Sequence, residues 1–304
     1  MPPRPRDDGL SEVVGFVLLL GVIVIALSLY QVYGVPAVGR ENEIAHMNQV
    51  KDRFVDYKLA LDSLWVNNRS GVLLSTAFDL GTGAPATAGT VFALPILTPA
   101  GSGGTVSVQS GGAKLTVTAW DGENPTTPIE NLSLGSLSYR SSNNYWVDQT
   151  WTYQMGAVFL SQEGGTAVRV GPSISAYNTT SGDTALTIAP IRLEGSGMIA
   201  GSGPVRVETR MRESGSPILD EACTQVNLTI EADNQATAGA WRRSFVEVQQ
   251  RAIEEGVNTS SWLIDRVENT TRLGVQQPEA GTVTLRVYPA NYTVTIHNAA
   301  SLTE

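Results

Sequence analysis

The feature that most constrains this chain is Val13–Tyr33, VVGFVLLLGVIVIALSLYQVY, in which no residue is charged. A helix of about 21 residues spans roughly 31 Å, the thickness of a bilayer's hydrocarbon core. A buried core helix seldom stays uncharged for so long, so the segment is expected to cross a membrane. Tyr30 and Tyr33 then lie near the outer interface. Arg4 and Arg6 precede it, which favours a cytoplasmic N-terminus and places the bulk of the chain outside. A secretory signal has a shorter apolar core closed by a small-residue cleavage site. Here Gly34-Val35-Pro36 follows instead, and then a charged, helix-compatible stretch from Arg40 to Trp65.

Composition narrows the function classes. The 304 residues carry 29 acids and 20 bases, a net charge of −9, which argues against nucleic acid as a partner. One cysteine, Cys223, excludes an intramolecular disulfide framework and any multi-thiolate metal site. Two histidines, His46 and His297, leave little for metal or acid–base chemistry. The mean hydropathy of −0.03 averages a lipid-soluble helix with a polar remainder.

The first residues carry a family resemblance. A short polar leader with basic residues, then Gly9, Leu10-Ser11-Glu12-Val13-Val14-Gly15-Phe16 and a long apolar run resemble the N-terminus of archaeal type IV pilin-like proteins. That resemblance covers roughly residues 1–65. It implies a class III signal peptide cut by a prepilin-type peptidase between Gly9 and Leu10, with the hydrophobic helix kept in the mature protein. Asp8 and Ser11 fit the pattern; Glu12, the third mature residue, departs from the position of many pilin glutamates. A carboxylate at Glu12 and a new α-amine on Leu10 would pair more cheaply than either charge alone in lipid. A glutamate among headgroups is the plain alternative.

Between Ile44 and Trp65 the apolar residues Ile44, Met47, Val50, Phe54, Leu61 and Leu64 recur at helical spacing, predicting a stalk helix that packs on a globular domain, with a hinge at the glycine and proline before it. His46 reads as an ordinary helix residue. From Asn67 onward short β-branched runs alternate with turn signals. Gly104–Trp120 reads as a hairpin about Ser110-Gly111-Gly112, and the glycine-rich stretches near 81–89, 101–112 and 195–203 as loops or turns. Tyr145, Trp146, Trp151 and Tyr153 read as core packing, with a carbohydrate-stacking surface as the sharper alternative. Gly239–Glu255 predicts one amphipathic helix.

The fold class is therefore α+β: a long N-terminal transmembrane and stalk helix, then a mainly antiparallel β-sandwich-like ectodomain with one short amphipathic helix. The expected boundaries are a leader over 1–9, a transmembrane helix over 10–36, an amphipathic stalk over 37–66 and an extracellular β-rich domain over 67–304. Seven N-x-[S/T] sequons, at Asn68, Asn131, Asn178, Asn227, Asn258, Asn269 and Asn291, all follow the apolar helix, as in a translocated glycoprotein. No nucleophile elbow, zinc-hydrolase or phosphate-loop motif appears, and no metal or cofactor is implied. The expectation is a non-catalytic surface protein for adhesion or surface structure. Its partners are the lipid bilayer, other copies through the N-terminal helices, and the peptidase if it is processed. A monomeric anchored ectodomain and an anchored extracellular hydrolase using convergent acids are the alternatives.

Overall fold

The computed structural model describes residues 8–83, 97–180, 182–214, 219–277 and 281–298. Most of the leader expected over 1–9 falls outside them. One unbroken run of helix comprises α1 (Asp8–Leu29), a π turn (Tyr30–Gly34) and α2 (Val35–Val66). The hinge expected at Gly34-Val35-Pro36 is therefore replaced by a change of helical register. Pro36 has no N–H to give, and a plain α turn would press its ring on the carbonyl of Val32. In the wider turn the Val35 N–H donates instead to the Tyr30 carbonyl. A Cβ on Gly34 would come within 2.6 Å of the Tyr30 ring, so glycine lets that ring lie along the turn.

The two halves of the helix meet different surroundings. Every residue from Glu12 to Tyr33 is exposed. Along α2, Glu43, Met47, Val50, Phe54, Tyr57 and Leu61 are buried, in alternating steps of four and three that keep one stripe against the domain. Met47, Val50, Phe54 and Leu61 belong to the stripe expected from the sequence. Ile44 and Leu64 are half-buried at its margins, while Glu43 and Tyr57 join it.

The strands follow in chain order. The first are β1 (Leu73–Asp79), β2 (Gly103–Gln109), β3 (Lys114–Asp121), β4 (Asn124–Ser133) and β5 (Ser136–Ser142). Next come β6 (Thr150–Gln154), β7 (Ala157–Gln162), β8 (Gly165–Val170), β9 (Ile174–Asn178) and β10 (Thr184–Ile188). Then β11 (Ile191–Glu194), β12 (Ser196–Gly201), β13 (Pro204–Ser214), β14 (Leu219–Cys223) and β15 (Gln225–Glu231) lead into α3 (Gln235–Glu254). After it lie β16 (Trp262–Val267), β17 (Thr270–Gln276), β18 (Val283–Val287) and β19 (Ala290–Asn298).

Among the described residues these strands form four sheets, ordered β1-β13-β19-β11, β14-β18-β10-β9, β12-β2-β5-β6-β7-β8 and β16-β17-β15-β3-β4. Pairing is antiparallel except for β10 with β18 and β11 with β19. The domain is thus mostly β, divided more finely than two facing sheets. The hairpin expected over Gly104–Trp120 is corrected: β2 and β3 lie in different sheets. The stretch expected as a turn at 195–203 is β12, which takes the place beside β2. The Ser110 hydroxyl fastens that exchange, donating to the Gly195 carbonyl and accepting its N–H, each at 2.7 Å.

Two apolar cores result. One gathers the α2 stripe with Phe78, Val106, Tyr139, Trp151, Val207 and Tyr292. The other surrounds α3 through Trp241, Phe245 and Val248. Strand β7 divides them, because its alternate side chains point opposite ways: Val158 and Leu160 enter the α2 core, Ala157 and Phe159 the α3 core. The β6–β7 turn, Met155-Gly156, has φ of 48° and 77°, a two-residue connection suited to the twist of a hairpin.

Phe54 is fully buried, its ring 5.4 Å from Phe78 and 6.4 Å from Trp151. Replacing Phe54 by Ala is expected to lower the unfolding free energy by about 3–5 kcal/mol. Leu59→Ala, at a position 60% exposed, is expected to change it by less than about 0.5 kcal/mol. Denaturant titration of the full chain in detergent checks both.

Candidate functional site

Where α2 leaves the membrane-length segment it is gripped by the loop between β5 and β6. Glu43 is 1% exposed, and its two carboxylate oxygens accept the successive N–H groups of Asn144 and Tyr145 at 2.6 and 2.8 Å. Such charge-assisted bonds to two backbone donors are what allow a carboxylate to be buried. One helical turn earlier stands Gly39. A Cβ there would lie 2.3 Å from the Tyr145 ring, so the ring lies directly on the helix backbone. The Arg40 guanidinium lies over the Trp146 indole, 4.5 Å from its centre. The loop is itself braced: Asn144 Nδ2 donates to the Gly101 carbonyl, Ala100 N–H to the Tyr145 hydroxyl, and Asn143 N–H to Asp148.

His46 lies one turn further along. Its Nε2 is 3.0 Å from the Tyr139 hydroxyl, which donates its only proton to the Leu80 carbonyl at 2.8 Å. Nε2 therefore carries the hydrogen and donates, leaving Nδ1 unprotonated. Burial holds the His46 pKa below its usual value, while Asp79 and Glu43 pull the other way. Beside it a cavity of about 560 Å³ opens, lined by Asn42, His46, Asp79, Thr82 and Ser202 among others. Among the described residues no three His, Cys, Asp or Glu side chains gather as a metal site.

Further along α2 a second polar group is enclosed. Lys58 bonds Asp62 at 2.6 Å, and the other Asp62 oxygen accepts from the Ser173 hydroxyl. The Tyr57 and Thr209 hydroxyls meet at 2.8 Å, and Tyr292 donates to the Leu61 carbonyl at 2.8 Å.

The residues singled out in the sequence fall in separate places. Gly9 and Leu10 lie in the first turn of α1, and Glu12 is exposed close by. Of the sequon asparagines, Asn68, Asn131, Asn178 and Asn258 are exposed, whereas Asn227, Asn269 and Asn291 are half-buried. Asn227 and Asn291 lie on strands paired along both edges, and Thr271 of the Asn269 sequon is buried, bonded to the Ala238 carbonyl. Trp151 and Tyr153 pack in the α2 core as expected; Tyr145 and Trp146 belong to the grip on the helix. Sequence reasoning missed Glu43, whose only signal was its heptad spacing to Val50 and Tyr57, and it passed over Gly39.

Residues 101–284 match a family described as a family of unknown function, DUF7289. No curated protein and no solved structure matches the chain.

Glu43→Ala strands the Asn144 and Tyr145 donors. It is expected to cost about 2–4 kcal/mol and to speed amide exchange at those two residues, read by hydrogen exchange. For His46, the unfolded chain binds a proton near pH 6.5 that the folded chain resists. Its contribution is therefore complete above that pH and lost as pH falls below it. The drop in Tm between pH 7.5 and 5.5 should be smaller in His46→Gln than in the parent.

Proposed function

The chain belongs to DUF7289, a family of unknown function, and we propose that it is a non-catalytic surface protein of type IV pilin-like build. In this reading α1 is held in the membrane or among α1 helices of other copies, and the β-rich domain stands outside for adhesion or surface structure. The observation that carries it is the exposed apolar half of the helix. Phe16, Leu18, Val22 and Ile25 are each more than 60% exposed on a rod that the domain does not cover. Water does not tolerate a continuous apolar surface of that size, so lipid or like helices must cover it.

The grip at Glu43, Gly39 and Arg40 supports the same reading. A domain displayed on a membrane helix transmits any pull on it through that junction, and here the junction is fastened by a carboxylate, a ring contact and a cation–π contact. The exposed sequons Asn68, Asn131, Asn178 and Asn258 are the glycan positions that fit an extracellular domain.

Mass spectrometry of the mature protein from its native membrane tests processing and modification together. The expected result is an N-terminus at Leu10, with glycan confined to those four asparagines. A terminus at Met1 or inside the apolar run sinks pilin-type processing. Electron microscopy of surface filaments in cells with and without the protein separates a polymer from a monomeric anchor.

A further inference from the structure

The chain carries a net charge of −9, yet four of its arginines, Arg169, Arg242, Arg243 and Arg266, line one open groove of about 800 Å³ between α3, β8 and β16. Among the described residues no carboxylate lines it. Elsewhere Arg192, Arg206, Arg212, Arg272 and Arg286 each meet an acid within 4 Å. Among the described residues the four groove arginines have no such ion pair; Arg53, Arg69, Arg140, Arg210 and Arg251 have none either, but they do not line the groove. Two are oriented by neutral acceptors instead: Arg243 donates to the Thr166 carbonyl, and Arg266 to the Gln235 carbonyl at 3.0 Å. A carbonyl fixes a guanidinium in place without cancelling its charge.

These two charges converge. A Cβ on Gly239 would lie 3.7 Å from Nη1 of Arg266 and 3.8 Å from Nη1 of Arg243, so both guanidinium groups reach over one glycine. Gln235 and Ala236, from the first turn of α3, form part of the same wall and add the positive end of the helix dipole. Like charges gathered without a counter-ion raise the local potential, and planar guanidinium forks match carboxylate and sulfate oxygens.

The groove continues past Arg169. Leu160 and Arg169 also line a second depression of about 360 Å³, whose other wall includes Lys51, Trp146 and Gln149. Lys51 pairs with Asp52 at 3.3 Å, and Arg40 covers one face of Trp146. A single oxyanion would engage one or two of these cations. A chain bearing an anion on successive units, with flat apolar faces between them, engages the arginines and the indole together.

We propose that this path binds an acidic polysaccharide, its carboxylate or sulfate groups on Arg169, Arg242, Arg243 and Arg266 and a sugar ring beside Trp146. The preference for a polysaccharide over a nucleic acid rests on the surface location proposed above. The binding itself does not.

Isothermal titration of the full chain in uncharged detergent, with oligogalacturonate and with dextran sulfate, tests it. Arg243→Gln combined with Arg266→Gln should weaken binding at least ten-fold, as expected for two lost charge-assisted contacts. Arg272→Gln combined with Arg286→Gln removes the same charge from outside the groove and should leave binding unchanged. Gly239→Glu, which sets a carboxylate between the two guanidinium groups and keeps a good helix former in α3, should abolish binding with an unaltered circular dichroism spectrum. The proposal is overturned if neither polymer binds or if the two double variants weaken binding equally. It also falls if inorganic sulfate binds as tightly as the polymers, or if a single-stranded oligonucleotide of equal charge binds more tightly. Because the titration uses purified protein, its failure leaves the surface location standing, and a mature terminus at Met1 leaves the groove standing.

Discussion

An apolar stripe alone would let a helix slide along the sheets it packs against, since dispersion and the hydrophobic effect are weakly directional. In α2 that freedom is removed by polar contacts spaced along the stripe. Glu43 holds Asn144 and Tyr145, His46 meets Tyr139, Tyr57 meets Thr209, and Tyr292 reaches the Leu61 carbonyl. Each ties a different part of the chain to a fixed height on the helix. A shift by one turn would leave a carboxylate and several hydroxyls buried without partners, each costing about 1–3 kcal/mol. The positions of the two sheets that contain β5 and β13 follow from that register.

The second core follows from the first through β7. Because Val158 and Leu160 are committed to α2, Ala157 and Phe159 must face the other way, and α3 with Trp241 covers them. The Phe159 and Trp241 rings meet edge to face at 5.2 Å, and the Trp241 indole donates to Gln154. One strand buried on both faces thus couples α2 to the amphipathic helix that forms the arginine groove.

Much of this was legible in the sequence, and the parts that were not have physical causes. The apolar helix, the stalk stripe and α3 announce themselves because helical periodicity is local; α3 begins at Gln235, ahead of the expected Gly239, where Asn234 caps the Thr237 N–H. That the rest of the chain is β-rich is visible from the alternation that begins after Asn67. Partners were not: β2 and β3 are close in sequence and read as a hairpin, yet their edges are taken by β12, β5, β15 and β4. Pairing depends on which distant strand completes a buried face, which no short window contains. Glu43 was hidden for a related reason. A glutamate on a helix reads as solvated until the loop that supplies two N–H groups is folded beside it. The arginine groove was equally silent, since Arg169, Arg242 and Arg266 come from separate elements.

The wider turn at Tyr30–Gly34 also sets an angle. A π turn takes in one residue more than an α turn, and one residue corresponds to about 100° of rotation about the helix axis. The azimuth of the β-rich domain around α1 is therefore decided by whether that extra residue is accommodated. Were the same residues to follow a plain α path, the domain would swing by about 100° around α1, whereas deleting the extra residue would leave it nearly where it is. If copies pack through α1, as proposed above, such a swing would make neighbours present different flanks to one another, although no residue on either packing surface had changed.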